Sequence, residues 1–322
     1  MSQDKIVLVF LDAIQGVNYH RLQVPFLRLM NDGMRVHFFT DFDELKEFNM
    51  EVVSHLVVSR RCTVTNYKAF REWLTANDVK LVLDNDDYWD LPKHNPAYET
   101  YKNIVSIEIL ETIKMADIIW TPSAYLGKRM SMVNPKAEIH ILHNTLDLTA
   151  DQWKQRKKPS KAVRFGYIGA LGHSRDVNEI GYNFIDKELY CVNLADYPAR
   201  LKSSYIIEPA PVDEYGKMYE NFDVSLAPLQ GGTFNKCKSD LKVVEAGYTR
   251  TSIICSNTTP YKEVIENNVT GLLCSNTRDW KNAIESMTKE KHRELSGNLH
   301  KFVKKNYDLD KINKIRTNTL GL

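Results

Sequence analysis

Runs of apolar residues without polar alternation recur along the chain and predict strands of a parallel sheet. The first, residues 6–11, is apolar throughout, as expected of a strand buried on both faces. Segments with the apolar spacing typical of helices, such as 67–77, separate these runs. Together they predict a doubly wound, Rossmann-like α/β domain over residues 1–158. Further strands are predicted at 35–40, 52–59, 80–83, 117–120 and 138–142, and further helices at 19–32, at 104–115 and from 124.

A charged stretch at 151–161, which contains Pro159, interrupts this pattern and predicts an interdomain linker. The strand pattern then begins afresh at 163–168. We therefore predict a second α/β domain over 159–300, followed by terminal helices within 291–320. Its further strands are predicted at 189–194, 205–208, 223–227 and 251–256.

The composition is that of an ordinary globular protein and excludes several classes. Of the 322 residues, 43% are hydrophobic and 26% charged, and the net charge of +2 gives no global signature of a polyanion-binding protein. The five cysteines contain no CxxC pair and predict reduced thiols without a metal pattern. No apolar run approaches the roughly 20 residues that a membrane span requires. We therefore expect a cytoplasmic protein, in the host cytoplasm if it is phage-encoded.

The stretch 228–248 contains the largest group of candidate ligand-binding side chains. An apolar run ends in a Gly-Gly turn, and a helix is predicted to follow with Ser239 as its N-cap. At about 100° per residue, Leu241, Val244 and Tyr248 share one face of that helix, which we expect to be the core face. Lys238, Lys242 and Glu245 share the neighbouring face.

Two lysines at the positive end of a helix dipole are locally unfavourable, but together with free amide groups they suit a doubly charged anion such as a diphosphate. Lys238, Ser239 and Lys242 are therefore predicted to contact the donor phosphates, and Glu245, one turn deeper, to reach a ribose edge. The alternative is a Lys242–Glu245 surface ion pair without a ligand.

The segments that follow carry motifs of a known family. Residues 260–265 read PYKEVI and 267–273 read NNVTGLL, while 143–147 read HNTLD at the end of the first domain. This order resembles GT-B glycosyltransferases, in particular those like glycosyltransferase family 4. The loop 16–22 before the first helix resembles a phage and bacterial subset. The resemblance implies two domains facing each other across a cleft, with a terminal helix at 301–322 that crosses back to the first domain.

The carboxyl ends of the strands would line such a cleft. On the first wall we predict Gly16 and Arg21 as donor contacts, and on the second Gly169, His173 and Arg175, near the donor phosphates. The alternative for these loops is an ordinary hydrogen-bonded turn. The family usually has an Arg and a Lys in the second region, so this part of the phosphate site departs from its pattern.

A second departure concerns the sugar. The family's Glu-x7-Glu signature would place its first Glu at Cys237, and a thiol cannot hold a sugar hydroxyl as a carboxylate does. We therefore expect the loop 231–235, including Gly232, Phe234 and Asn235, to hold the donor sugar through backbone amides.

The acidic run 84–87 allows three interpretations. Its oxygens could bind Mg²⁺ or Mn²⁺, or they could cap a solvated loop. We favour the third, in which Asp87 or Asp86 orients or deprotonates the acceptor hydroxyl. No metal site or cofactor is predicted, because Lys238 and Lys242 would neutralise the diphosphate.

The function that the resemblance implies is glycosyl transfer from a nucleotide-sugar, most simply a UDP-sugar, to an acceptor hydroxyl. It further implies retention of anomeric configuration without an obligatory metal, with Lys242 stabilising the leaving group. The acceptor would be a glycan or a lipid-linked glycan. Two alternatives stay open: a phage DNA glycosyltransferase acting on a hydroxymethylated base, and a nucleotide-binding module without transfer activity.

Overall fold

The computed structural model describes residues 5–11, 16–154, 157, 159–169, 173, 175–192 and 205–322. The predicted domain boundary at 158, residues 170–172 between the predicted contacts Gly169 and His173, and the last two residues of the strand predicted at 189–194 lie outside these ranges. In the described parts of the chain, no helix combines the length and the apolar character needed to cross a membrane.

The first domain is built on a parallel sheet with the strand order β2-β1-β3-β4-β5-β6. Strand β1 is paired in parallel on both sides, and its two faces are buried in different clusters, Leu8 and Phe10 in one and Val7 and Val9 in the other. Burial of both faces explains why its sequence is apolar without alternation. The strands are β1 (Ile6–Phe10), β2 (Val36–Phe39), β3 (Val53–Ser59), β4 (Lys80–Asp84), β5 (Ile118–Thr121) and β6 (Glu138–Ile141).

Helices cover both faces of this sheet. The first begins near Gly16 and contains a π-helical turn, Tyr19–Gln23, and another π-helical turn, Tyr101–Val105, precedes α5. The helices are α1 (Gly16–Asn18), α2 (Val24–Asn31), α3 (Tyr67–Ala76), α4 (Tyr98–Thr100), α5 (Ser106–Met115) and α6 (Ala124–Val133).

The second domain repeats the architecture with the strand order β12-β11-β10-β7-β8-β9, again with parallel pairing. Both predicted α/β sheets are therefore confirmed. The strands are β7 (Arg164–Tyr167), β8 (Glu188–Val192), β9 (Tyr205–Ile207), β10 (Val224–Ala227), β11 (Ser252–Ser256) and β12 (Leu272–Cys274); the helices are α7 (Thr233–Lys236), α8 (Leu241–Tyr248), α9 (Thr277–Glu285), α10 (Lys289–Asn306) and α11 (Leu309–Leu320).

The chain ends by crossing back to the first domain. Helix α10 stays on the second domain, where Leu299 and Val303 pack against Val243 and Val244 of α8. Helix α11 packs on the first sheet instead: Ile312 and Leu320 join the cluster around β1. The crossing therefore lies between Asn306 and Leu309.

A buried arginine anchors α11. The guanidinium of Arg316, 1% exposed, lies 5.3 Å from the ring centroid of Trp120 and 5.8 Å from that of Phe26. It donates hydrogen bonds to Asn313 and to the carbonyl of Arg21. Such cation–π contacts strengthen when water is excluded, so α11 is held to the first domain by packing as well as by charge.

Candidate active site

A cleft of about 520 Å³ opens between the two sheets, at the carboxyl ends of their strands. Both domains line it, as expected for facing open α/β sheets. The sequence-predicted residues that it brings together are Asp86, Asp87, Gly169, His173, Lys238, Ser239 and Lys242.

Lys242 is held within the second domain by a buried network. Its Nζ donates to Tyr215 Oη at 2.5 Å and to Glu245 Oε2 at 2.8 Å, and Tyr219 Oη donates to the same Glu245 oxygen at 2.6 Å. Burial by itself lowers the pKa of Lys242, but Glu245 and Tyr215 together outweigh it and the pKa lies above its ordinary value. Lys242 is therefore a fixed positive charge on the wall of the cleft.

Glu245 lies beneath this lysine and not on the cleft surface. It is 2% exposed, and its recorded partners are Tyr219 and Lys242. Sequence reasoning placed Glu245 against a ribose, because the residue lies one turn inside the helix. The structure shows the Lys242–Glu245 pair of the alternative interpretation, but buried below the cleft wall and not on the surface. The ribose contact stays a prediction.

Lys238 is held across the cleft. Its Nζ lies 2.7 Å from Asp87 Oδ1 of the first domain and 4.2 Å from the ring centroid of Phe234. Helix α8 begins at Leu241 with Asp240 as its N-cap residue, so the predicted N-cap, Ser239, lies one residue too early and lines the cleft instead. The short helix α7 precedes it and turns the chain so that Lys238 faces the first domain.

The acidic run after β4 is tied to three different cations. Asp84 is 1% exposed and bound by Arg21 at 2.6 and 3.0 Å, Asp86 is bound by Arg60 at 3.2 Å, and Asp87 by Lys238. Burial alone raises the pKa of Asp87, but Lys238 and Arg60 outweigh it and lower the pKa below its ordinary value. An ionised, paired carboxylate is a weak base, so this geometry favours orientation of a hydroxyl over its deprotonation.

Arg21 is therefore not on the cleft surface as predicted. It is 3% exposed and also donates to Asn144 Oδ1 at 2.8 Å and to the carbonyl of Leu142 at 2.9 Å. The structure gives it the role of joining the ends of β4 and β6. The predicted loop contact Gly16 does not line the cleft either, whereas its neighbour Val17 does.

The loop predicted to hold the sugar lines a second hollow of about 220 Å³. Gly232, Phe234 and Asn235 are on one side of it, and Tyr88 and His94 of the first domain on the other. Asn235 is 7% exposed, its Nδ2 donates to Asp176 at 2.8 Å, and its Oδ1 is buried with no hydrogen-bond partner among the described residues. Gly232 has a φ of 126°, which a side chain rarely tolerates.

Asp176 organises this loop and was missed by sequence reasoning. Its carboxylate accepts from the backbone amide of Gln230 at 2.8 Å and contacts His173 Nδ1 at 2.6 Å. His173 stacks on Phe234 with ring centroids 6.4 Å apart. Arg175, by contrast, is exposed and does not line the cleft. The signal in the sequence was only an acidic residue three positions after a histidine.

Arg60 and Tyr215 also line the cleft. Arg60 has a φ of 61°, a left-handed conformation that non-glycine residues adopt mainly under constraint. Its amide donates to the carbonyl of Asp84 at 2.8 Å and its side chain binds Asp86.

In the described residues, no group of three or more His, Cys, Asp or Glu side chains could hold a metal ion.

Cys237 occupies the position at which the family has its first glutamate. It is 0% exposed and belongs to the core cluster of the first domain, together with Trp89 and Leu83. Burial raises the pKa of its thiol to about 12. The side chain therefore contributes to the interface between the domains and presents no atom to a sugar.

No protein-family model and no curated protein matches this chain. Solved structures do: a glycosyltransferase of Rickettsia africae, at 10% identity, covers 98% of this chain and 98% of its own with a TM-score of 0.63. The fold is GT-B.

Two further solved structures with the GT-B fold also match this chain over nearly the whole length of both proteins. HepE of Anabaena, solved in complex with UDP-glucose, is 12% identical and covers 98% of this chain and 99% of its own, with a TM-score of 0.65. Sucrose-phosphate synthase of Thermosynechococcus elongatus is also 12% identical, covers 98% of both chains and has a TM-score of 0.65. The likeness extends over both domains of the GT-B fold and the returning helix α11.

Proposed function

We propose that the protein transfers a glycosyl group from a UDP-sugar to an acceptor hydroxyl. The observation that carries this proposal is the convergence of Lys238 and Lys242, two lysines close in sequence, on one interdomain cleft. The GT-B fold supports it, since one neighbour that shares the fold is named as a glycosyltransferase and another as a sucrose-phosphate synthase, and HepE was solved with UDP-glucose.

The donor would lie across the cleft with its diphosphate at the two lysines. Pro209 and Ala210 line the same cleft beyond β9 and supply an apolar surface for the base. Lys242 is already fixed and charged before a ligand arrives, so its attraction for the diphosphate costs little reorganisation. Lys238 would exchange Asp87 for a phosphate oxygen.

In the reaction, the acceptor oxygen bonds to the anomeric carbon while the bond from that carbon to the diphosphate oxygen breaks. The departing phosphate oxygen takes the acceptor proton, and Lys238 and Lys242 stabilise the charge that develops on it. We propose retention of configuration, with Asp87, released from Lys238, orienting the acceptor hydroxyl. We also propose that no divalent metal is required.

A glycan is the acceptor that the charges favour. A DNA acceptor would need several cations that meet phosphates, and Arg21, Arg60 and Arg61 would each first have to exchange a carboxylate (of Asp84, Asp86 and Glu108) for a phosphate oxygen. A gel-shift titration with a hydroxymethylcytosine duplex should therefore show no binding at low salt. A shift that weakens steeply with salt would contradict this assignment and restore the DNA acceptor.

The test of the function is calorimetry with UDP, followed by a donor-hydrolysis screen over several UDP-sugars in EDTA. We expect UDP to bind and at least one UDP-sugar to be hydrolysed in chelator. Binding of UDP without turnover, over donors and a broad acceptor panel, would identify a nucleotide-binding module instead. Loss of turnover in EDTA that Mn²⁺ restores would assign the acidic run 84–87 to metal binding.

A further inference from the structure

A groove of about 500 Å³ lies on the first domain, outside the cleft. Its floor is formed by the partly exposed rings of Phe42, Phe70 and Trp73. The rings of Phe70 and Trp73 are stacked, with centroids 5.8 Å apart and an interplanar angle of 16°. Phe42 meets Phe70 edge to face at 5.7 Å. We call this feature the aromatic groove.

The aromatic groove is rigid at both of its sides. Phe42 packs on the buried ring of Phe10, with centroids 4.3 Å apart, and its turn begins with a capping box formed by Asp41 and Glu44. Helix α3, which carries Phe70 and Trp73, is capped by the side chain of Asn66. A preformed surface loses little entropy when it binds a ligand. The groove could therefore bind an extended molecule even where each contact is weak.

The rim of the aromatic groove is polar and net negative. Asp41 and Asp43 face a single lysine, Lys46, whose Nζ lies 2.6 Å from Asp43. Thr63 and Thr65 are exposed on the opposite side, and the structure records no hydrogen bond from their hydroxyls to any described residue. The rim thus offers carboxylates and hydroxyls to a ligand rich in hydroxyl groups, and it repels phosphates.

We propose that the aromatic groove binds a neutral glycan, the part of the acceptor remote from the reacting hydroxyl. Aromatic faces carry partial negative charge, so they attract the weakly positive C–H groups on the apolar face of a sugar ring. Hydroxyls at the edge of that ring would bond to the rim. A pocket with an aromatic floor and a few convergent polar groups is the usual form of a small-molecule site.

The position of the groove connects it to the cleft, and in this respect the inference rests on the proposed function. Arg60 lines the cleft and Thr63 the groove, and both follow β3 at the carboxyl edge of the sheet. Three residues separate their Cα atoms by at most about 11 Å. In this proposal, an oligosaccharide bound in the groove extends its end over this distance to the cleft.

Trp73 provides a direct reporter for this site. The structure describes all five tryptophans, and Trp89, Trp120, Trp153 and Trp280 are at most 9% exposed. Trp73 alone is partly exposed, so acrylamide should quench mainly its fluorescence. The test measures acrylamide quenching, without any donor, in the presence of linear hexasaccharides of α-1,4-glucose, β-1,4-glucose and β-1,4-N-acetylglucosamine at millimolar concentration.

We expect at least one hexasaccharide to protect Trp73 saturably, and Phe70→Ala to weaken that binding about two- to tenfold. Trp73→Phe keeps an aromatic ring and should remove the signal while the fold, checked by circular dichroism, is unchanged. If none of the three glycans protects Trp73, the inference is wrong. Protection by duplex DNA at low salt in place of the glycans would also overturn it.

These outcomes can be separated from those of the proposed function. UDP binding is measured at the cleft and glycan binding at the groove, in the same protein. If UDP binds and no glycan protects Trp73, the glycan groove fails while the donor site stands. If a glycan protects Trp73 and UDP does not bind, glycosyl transfer fails while the groove remains a carbohydrate site.

Discussion

The two domains form opposite walls of the cleft, and their charged residues are paired in different ways. Lys242 of the second domain has its partners within that domain, whereas Asp87 of the first domain has its closest partner in the second domain. Lys242 binds Tyr215 and Glu245, and neither contact depends on how the domains meet. Asp87 binds Lys238 across the cleft. The difference suggests that Lys242 is positioned before a ligand arrives, while Lys238 and Asp87 change their contacts when one binds.

The strongest test of this comparison removes the fixed charge. Lys242→Ala should weaken UDP binding by about 1.5–3 kcal/mol, roughly 10- to 150-fold, because it deletes a charge-assisted contact to the diphosphate. Calorimetry with UDP measures the change. Unchanged affinity would mean that Lys242 is not part of the anion site.

Lys242→Ala also leaves Glu245 buried without its cation, which is destabilising in itself. The double variant Lys242→Ala/Glu245→Gln is therefore the matched control. It should recover stability to urea relative to the single variant and still bind UDP poorly. Recovery of UDP affinity in the double variant would show that the loss came from damage to the fold.

Glu245→Gln distinguishes a partner of Lys242 from a ribose contact. We expect UDP and inorganic pyrophosphate to lose the same amount of binding free energy, about 1–2 kcal/mol, because both ligands depend on the position of Lys242. Calorimetry with the two ligands provides the ratio. A loss confined to UDP would support the ribose contact that the sequence predicted and contradict the network seen in the structure.

A pH titration tests whether the charge of Lys242 reaches the first domain. Burial lowers the pKa of His20 to about 4, and Lys242 adds to this shift. The unfolded chain, with a histidine pKa near 6.5, binds the proton first as the pH falls. Above about pH 6.5, His20 therefore does not affect the free energy of unfolding. Below that pH, it lowers the free energy of unfolding by about 1.4 kcal/mol for each pH unit, until the pKa of His20 in the folded protein is reached.

The measurement is the pKa of His20 by NMR in wild type and in Lys242→Ala, where it should rise. His55 is the matched control: burial lowers its pKa to about 4 as well, but the cation that contributes to that shift is Lys80. His55 should therefore titrate alike in both proteins. Equal shifts of the two histidines in Lys242→Ala would indicate a general loosening of the fold.

The smallest expected effect comes from the other wall. Asp87→Asn should raise UDP affinity by up to about 1 kcal/mol, because Lys238 no longer has a carboxylate as its competing partner and the pair is only partly shielded from solvent. Asp86→Asn is the control, since Asp86 binds Arg60 and not Lys238. Weaker UDP binding in Asp87→Asn would show that the ion pair helps to form the site.

The architecture could be predicted from the sequence because parallel strands that are buried on both faces have continuous apolar sequences. Such sequences can be recognised without knowing the tertiary structure. Strand β1 is the clearest example, since the predicted run 6–11 and the observed Ile6–Phe10 nearly coincide. The start of α8 was predicted less well, because α7 and a turn occupy the segment before it. Short polar segments have weak local preferences, and their conformation is decided by what they pack against.

The sequence by itself determined that two lysines and two aspartates would lie at the ends of strands, and so near one cleft. The tertiary structure decided which partner each of these charges has: Lys238 pairs with Asp87, Asp86 with Arg60, and Lys242 with Glu245. Arg21 and Glu245 had the residue types of ligand contacts, yet each is buried against a partner, Asp84 63 residues away and Tyr219 26 residues away. Pairing across such distances depends on the packing of whole elements, and local sequence carries no signal for it.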